Sequence, residues 1–469
     1  MAASILVAGE WVETPHQVAI HAPFDHRVIG ETFEAAADLL ERAISAATDA
    51  APTMRALSPR ERAEILATVS DRIRAVADPL AKLIAMEAGK PLKAAKVEVE
   101  RAIFTFALAS EEAKVFHEQH IDVRLPLPAT SRQGTIRWFP AGPIAAITPF
   151  NFPLNLVAHK LAPAIAAGCP VVLKPAPQTP LTALKLAQLI MAAGLPAGAL
   201  SVMPMPNDVA ATLVPDDRLK VLSFTGSAKV GWDLKSKAGK KKVVLELGGN
   251  AAVIVEPDAD IAHAAQRCVA GGFGYSGQSC ISVQRIFVQR SVFAEFRDAL
   301  VAGVKQLKSG DPLDPNVDCG PLIREADAIR VEQWIQEAVS RGAKLLTGGK
   351  RNGWFVEPTV LTGTKPDDKV NAEEIFGPLV VVEPYDSLQE AIERVNASRY
   401  GLQAGIFSAD ANKIERAFNS IEVGGVIAND VSTFRSDAMP YGGVKDSGLG
   451  REGVIYAMQE FSEMRILVT

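Results

Sequence analysis

Cysteine is scarce in this chain: four among 469 residues, at Cys169, Cys268, Cys280 and Cys319. Four are too few for a disulfide framework, and no two stand at the C-x-x-C spacing of a metal site, so no metal centre is expected. This usage fits a reducing compartment, where a thiol can be kept for chemistry. An excess of positive charge is also missing. The 49 basic side chains are outnumbered by 54 acidic ones, for a net charge of −5. Electrostatics therefore offers no case for nucleic acid or an anionic membrane as partner. Long apolar runs are absent as well. The most apolar stretch, Leu154 to Leu173, is broken by Pro163 and Pro170 and carries His159 and Lys160. That makes it a poor membrane span and a reasonable buried element. The first residues have neither a basic n-region nor a long apolar h-region, which speaks against secretion and for a cytoplasmic enzyme or binding protein.

What is present is globular composition, 48% hydrophobic and 22% charged. The length suggests two to four folding units. Residues 32 to 117 read as helical, with Ser58-Pro59-Arg60-Glu61 as an N-cap followed by proline at the first helical position, and a break at Gly89-Lys90-Pro91. Residues 121 to 139 read as an extended hairpin on an edge or a subunit contact. From residue 143 short apolar strands alternate with helical patterns: Ile144–Ile147, Val171–Leu173, Ser201–Met205 and Val221–Phe224, then Val243–Leu247, Ala252–Val255, Ile286–Val288, Val380–Val382 and Ile406–Phe407. Such alternation predicts parallel α/β sheets covered on both faces, which bind ligands at the carboxyl ends of their strands.

Three segments carry candidate chemistry. Cys280 lies in Gly277-Gln278-Ser279-Cys280, after a glycine-rich stretch. Glycines beside a thiol let a substrate approach and free backbone N–H groups for an oxyanion. On that segment alone, a small buried core cysteine is the commoner outcome. Glu246 ends an apolar strand before Gly248-Gly249. It is either a satisfied structural carboxylate or one whose desolvation raises its pKa toward that of a general base. Asn151, between a strand and a helix, is either a turn or N-cap residue or an amide donor for an oxyanion.

Together these segments resemble the aldehyde dehydrogenase superfamily. Its asparagine motif stands as Pro149-Phe150-Asn151-Phe152-Pro153, its glutamate motif as Leu245-Glu246-Leu247-Gly248-Gly249, and its cysteine motif as Gly277-Gln278-Ser279-Cys280. Four further blocks match in family order: Lys174-Pro175, Phe224-Thr225-Gly226-Ser227, Glu374-Ile375-Phe376-Gly377-Pro378 and Pro440-Tyr441-Gly442-Gly443-Val444-Lys445-Asp446-Ser447-Gly448. The resemblance implies oxidation of an aldehyde to the acid. Cys280 attacks to give a thiohemiacetal and then a thioester, Asn151 and the Cys280 N–H hold the oxyanion, and Glu246 activates the hydrolytic water. Lys160 matches a lysine of the family's site. For the cofactor, NAD or NADP, the resemblance implies Ile147, Thr148, Pro149, Phe150, Lys174, Pro177, Phe224, Gly226, Ser227, Val230, Leu247, Glu374 and Phe376.

One departure bears on cofactor choice. NAD-preferring members of the family carry a glutamate three residues after the lysine; here that position is Pro177, so NADP is expected to be accepted. The segments Asn429 to Asp437 and Gly450-Arg451-Glu452-Gly453 look most like a branch that includes lactaldehyde dehydrogenases. Phosphate-using relatives place an arginine just before the nucleophile, and Ser279 stands against a phosphorylated substrate. The expected substrate is a small hydroxylated or aliphatic aldehyde. It would be lined by Asn151, His159, Ser279, Ile281, Phe434 and Arg435, with a structural salt bridge as the alternative for Arg435 and a helix-surface position as that for His159. The implied architecture is a Rossmann-like cofactor domain (1–117 and 138–247, rejoined by about 436–455), an α/β catalytic domain (248–428) and a small β oligomerisation flap (118–137 and 456–469). A homodimer or homotetramer is expected. The rival functions are a CoA-acylating dehydrogenase, a thiol hydrolase and a non-catalytic binding protein.

Overall fold

The computed structural model describes residues 2–116, 118–123 and 132–469. Two large sheets meet where their central strands end. The first runs Glu10–Val12, Ile5–Val7, Leu200–Val202, Val171–Lys174, Ile144–Ile147, Val221–Thr225, Lys242–Glu246 and Gly448–Leu449. Its five middle strands pair in parallel, and antiparallel neighbours close both edges. The second sheet runs Lys344–Thr347, Thr359–Thr362, Leu379–Tyr385, Arg285–Gln289, Ala252–Val255, Gln403–Phe407 and Gly425–Ala428, parallel except at its first pair. The third sheet is antiparallel: Ser462–Val468, Arg132–Pro140 and Glu118–Val123. Among the described residues, no helix is long and apolar enough to cross a membrane.

The strand and helix readings hold with boundaries moved by a few residues. The helical region begins later than expected: residues 32 and 33 finish the strand Val28–Phe33, and four helices follow, Ala37–Ala56, Pro59–Ala75, Ala77–Ala88 and Leu92–Val115. The expected cap is present as a reciprocal box. Glu61 N donates to Ser58 Oγ at 3.3 Å and Ser58 N donates to Glu61 Oε2 at 2.7 Å. The short strands Ile5–Val7 and Gly448–Leu449 carry too few residues for an alternation pattern to show. The hairpin joins Ile121 to Gly134 as expected; the part of that reading over 124–131 lies outside the described residues, as does residue 117.

The helix Asn155–Ala167 is mostly apolar and is buried at every residue, with Asn155, His159 and Lys160 as its polar side chains. Its first N–H groups have no helical partner and need another acceptor. Glu98 Oε1 supplies it, accepting from Leu154 N at 2.9 Å and Asn155 N at 3.1 Å. The other Glu98 oxygen pairs with Lys90. The Lys90 ammonium also lies 3.6 Å from the Phe152 ring centroid and 4.5 Å from that of Tyr275. Burial pulls the Lys90 pKa down to about 8 against the opposing pull of Glu98. This cluster anchors both segments that bring residues to the cavity, 149–155 and 275–280.

Removing Glu98 strands a buried cation and uncaps the helix. Glu98→Ala is expected to lose about 3–5 kcal/mol in chemical denaturation. An unfolding curve matching that of the unaltered protein contradicts this account.

Candidate active site

A cavity of about 230 Å³ lies between the two sheets. Cys280 reaches it from a strained turn. Tyr275, Ser276 and Gly277 have φ of 51°, 53° and 70°, three consecutive left-handed residues. Such geometry costs on the order of 1–3 kcal/mol at each non-glycine residue and persists only when its surroundings hold it. Here Tyr275 Oη donates to Ala88 O at 2.9 Å, and Ser276 Oγ donates to Gly320 O at 2.7 Å. A Cβ at Gly277 would overlap the Gly377 carbonyl, so only glycine fits. The turn leaves Cys280 partly exposed while the other three cysteines are buried. Burial raises the Cys280 thiol pKa to about 11, opposed by the Tyr441 hydroxyl and by Arg435, and supported by Glu374 and Glu246.

Asn151 follows the strand Ile144–Ile147. Its Nδ2 donates to Gln278 O at 3.0 Å, tying it to the cysteine loop, and its Oδ1 is buried without a partner. One N–H of the amide is thereby committed and the other remains available.

Glu246 ends the strand Lys242–Glu246 and is 3% exposed, and neither carboxylate oxygen has a hydrogen-bond partner. Gly442 packs so close that a Cβ there would lie 3.0 Å from Glu246 Oε1. Burial drives the Glu246 pKa well above the usual carboxyl range. The nearby Glu452 carboxylate adds to this, while Arg435, Lys160 and Arg451 oppose it. Glu452 goes the other way. Burial would raise it too, but Lys160, Arg435 and His159 outweigh burial and hold it well below the usual range. Lys160 Nζ lies 3.2 Å from Glu452 Oε1 and donates to Ser223 Oγ at 2.9 Å; an Arg435 Nη lies 3.1 Å from Glu452 Oε2. Two buried carboxyls thus share one neighbourhood with their pKa values pushed apart, the arrangement that separates a proton carrier from a fixed charge.

A second carboxylate hub lies beside the cavity. Asp437 accepts from Arg101 at 2.6 and 3.1 Å, from Asn155 Nδ2 at 3.2 Å and from His159 Nε2 at 2.7 Å. Burial and Arg435 lower the His159 pKa against the opposing pull of Asp437 and Glu452. Arg101, Asn155 and Arg435 line the cavity. Nε of Arg435 is buried and has no partner.

The opposite wall carries Pro149, Phe150, Thr225, Gly226, Ser227, Leu247, Gly248, Glu374 and Phe376. Thr225 Oγ1 is buried and unpartnered, and no side chain caps the helix Ala228–Lys237 that follows Ser227. An unused hydroxyl and an open helix N-terminus suit a nucleotide diphosphate. Gly249 N donates to Glu374 Oε1 at 3.2 Å; burial raises the Glu374 pKa to about 7 against that bond and Arg330. Lys174, at the end of its strand, is buried, and burial lowers its pKa against the opposing pull of Glu34.

Most of the expected residues meet at this cavity: Cys280, Glu246, Asn151, Ser279, Ile281, Arg435 and the cofactor-side set just named. Some do not. His159 does not line the cavity but is buried against Asp437, because its Nε2 is held 2.7 Å from that carboxylate. Phe434 points away and is 49% exposed. Lys160 stands behind the wall on Glu452. Ile147, Thr148, Lys174, Pro177, Phe224 and Val230 lie outside the cavity lining, with Pro177 and Val230 exposed. Sequence reasoning assigned no role to Tyr441, Glu452, Asp437 or Arg101. The first three lie inside quoted segments, where a role was there to be asked for. Arg101 is one charge in a long helix, and nothing local marks it.

A thiol, a desolvated carboxyl and a nucleotide-shaped strand edge opening on one cavity define a nucleotide-linked oxidoreductase that works through a thiol. The family model described as the aldehyde dehydrogenase family matches residues 11–467, and the chain belongs to that family. It is 43% identical over 465 residues to 3-sulfolactaldehyde dehydrogenase of Priestia aryabhattai, covering 99% of this chain and 97% of the relative. It is 39% identical to lactaldehyde dehydrogenase of Methanocaldococcus jannaschii, covering 99% of each. Among solved structures, aldehyde dehydrogenase 21 from Physcomitrella patens in complex with the reaction product succinate is similar at 44% identity and TM-score 0.97, over 100% of this chain and 98% of that one. So is the glyceraldehyde-3-phosphate dehydrogenase GapN of Methanocaldococcus jannaschii complexed with NADP, at 39% and 0.92, over 96% and 98%. The protein is an NAD(P)-dependent dehydrogenase of small aldehydes with the aldehyde dehydrogenase fold, and the CoA-acylating alternative is not favoured.

Because the Glu452 carboxylate raises the Glu246 pKa, Glu452→Gln is expected to lower it and to move the acid limb of the pH–rate profile to lower pH. An acid limb that stays in place contradicts this coupling.

Proposed function

We propose that the chain oxidises a short aldehyde bearing an anionic group at the end remote from its carbonyl, with Cys280 as nucleophile and Glu246 as base. The observation that carries this reading is two of the four cavity-lining arginines, Arg101 and Arg435, the second with an unpartnered buried Nε. They face a cavity that also holds the thiol and the desolvated carboxyl. The relatives agree in chemistry: 3-sulfolactaldehyde carries a sulfonate, and succinate a second carboxylate. This narrows the hydroxylated or aliphatic aldehyde expected from sequence.

The thiolate of Cys280 bonds to the aldehyde carbon as the carbonyl electron pair moves to oxygen. The free N–H of Asn151 and the Cys280 backbone N–H are the donors for that oxyanion. A nicotinamide, when bound, supplies the acceptor for the hydrogen and electron pair that leave the carbon. The carbonyl re-forms as a thioester on Cys280. Glu246 takes a proton from water as the water oxygen bonds to the thioester carbon, and the thiolate leaves as the acid is released. Lys160 acts at one remove, fixing Glu452 and through it the affinity of Glu246 for protons.

A nicotinamide cofactor would be held by Gly226 and Ser227 at the helix N-terminus, by Thr225, by Glu374 at a ribose and by Lys174 at the adenosine end, with Ile147, Thr148, Pro149, Phe150, Phe224, Val230, Leu247 and Phe376 around it. Pro177 puts no carboxylate beside a 2′-phosphate, which favours acceptance of NADP. The first sheet with its helices forms the cofactor domain and the second the catalytic domain. The third, whose last strand exposes Met464, Ile466, Leu467 and Val468, forms the surface of a homodimer or homotetramer. A reducing, cytoplasmic setting suits the free thiols.

The test is formation of reduced nicotinamide from succinic semialdehyde and from butanal, each with NAD and with NADP. The anionic substrate is expected to exceed the neutral one in kcat/KM by about 100-fold, NADP is expected to support turnover, and Arg101→Met is expected to erase the advantage while leaving butanal unchanged. Equal kcat/KM for the two aldehydes contradicts the anionic-tail reading.

A further inference from the structure

Tyr441 lies closer to the nucleophile than any other side chain hydrogen-bonded to it among the described residues: its hydroxyl is 2.9 Å from Cys280 Sγ. The tyrosine is itself held from two sides. Its backbone pairs with Glu452, N to O at 2.9 Å, which fixes the phenol relative to the charged network behind the cavity. The Arg435 guanidinium lies 3.6 Å from the ring centroid, and Arg435 is anchored on Glu452. A cation on a phenol ring draws electron density from it and makes the O–H a stronger donor. Lys160, Glu452, Arg435, Tyr441 and Cys280 therefore form one continuous chain of contacts from a buried ammonium to the thiol.

We propose that Tyr441 is a catalytic residue that donates its O–H to the Cys280 thiolate, with Arg435 on its ring strengthening that bond. The proposal rests on the reading of Cys280 as nucleophile. The physical need is plain: burial disfavours the thiolate, and the carboxyls of Glu246 and Glu374 disfavour it further. Against these two, the groups that favour it are the Tyr441 hydroxyl and Arg435. Burial, Cys280 and Glu246 hold the Tyr441 pKa well above its usual value against Arg435, and a phenol O–H is a donor that a thiolate can accept from. The direction of donation in the charged state follows: the thiolate has no proton to give, and the phenol has one. Charge-assisted bonds of this kind are the strong ones.

The experiment is alkylation of Cys280 by iodoacetamide in the cofactor-free holo-length enzyme across pH 6 to 11, read by mass spectrometry on the Cys280 peptide. Tyr441→Phe keeps the ring and deletes only the donor. Below a thiol pKa of about 11 the alkylation rate follows the thiolate fraction, and in Tyr441→Phe it is expected to fall about tenfold at each pH, the equivalent of a one-unit rise from losing a charge-assisted bond of modest strength. Arg435→Met is expected to lower the rate in the same way. Glu246→Gln and Glu374→Gln, which remove carboxylates, are expected to raise it. Unchanged binding of reduced NADP, followed by fluorescence, verifies that Tyr441→Phe is folded. A Tyr441→Phe profile that coincides with the parent, or moves to lower pH because the hydroxyl served as acceptor of the thiol proton, overturns the proposal. Turnover retained by Cys280→Ser would instead overturn the nucleophile reading, and the alkylation profile reports on Tyr441 independently of that result.

Discussion

Burying a carboxyl group without a partner is expensive, and the architecture of this site follows from how that cost is met. Glu246 lines the cavity with neither oxygen hydrogen-bonded. Desolvation alone would favour its neutral form. Glu452, close by, is equally buried yet held ionised by Lys160 and Arg435. One carboxyl is thus a fixed anion and the other is free to exchange a proton. The same Arg435 that fixes Glu452 stacks on Tyr441, lines the substrate end of the cavity and faces Cys280. The proposed nucleophile, base and tail-binding group share one charged cluster, so the effects of changing them are expected not to add.

The scaffold exists to hold that cluster still. Glu98 and Lys90 tie the Asn151 segment to the turn before Cys280 through a buried ion pair and two aromatic rings. The left-handed turn at Tyr275, Ser276 and Gly277 stores strain that these contacts over-determine. Asp437 does for the substrate end what Glu98 does for the nucleophile end, orienting Arg101, Asn155 and His159 from one carboxylate. The other cysteines have no such company: Cys169, Cys268 and Cys319 are buried, away from the cavity that Cys280 lines.

Much of this was legible in the sequence, for reasons that can be named. The α/β alternation was visible because each buried parallel strand is a short, continuous apolar run between turn signals. Cys280, Glu246 and Asn151 were visible because their motifs combine a reactive side chain with the glycines or prolines that shape its approach. The network behind them was not. Arg101 and Asp437 are 336 residues apart in sequence, and no local pattern announces that a helix near the start will meet a loop near the end. His159 was misplaced for the same reason: its neighbour Lys160 pointed to the site, but only the fold shows that Asp437 claims the imidazole. Glu452 and Tyr441 lay within recognised blocks, yet their roles depend on contacts with Arg435 that spacing does not encode.

The central claim is that Cys280 carries the substrate's acyl group and that Glu246 is needed to remove it. Trapping that intermediate tests it most directly. Glu246→Gln enzyme, mixed with NADP and succinic semialdehyde and quenched in acid, should carry the acyl mass on the Cys280 peptide at close to one group per chain. A Cys280 peptide that stays unmodified while reduced nicotinamide forms, or an acyl group found on another cysteine, would contradict the account.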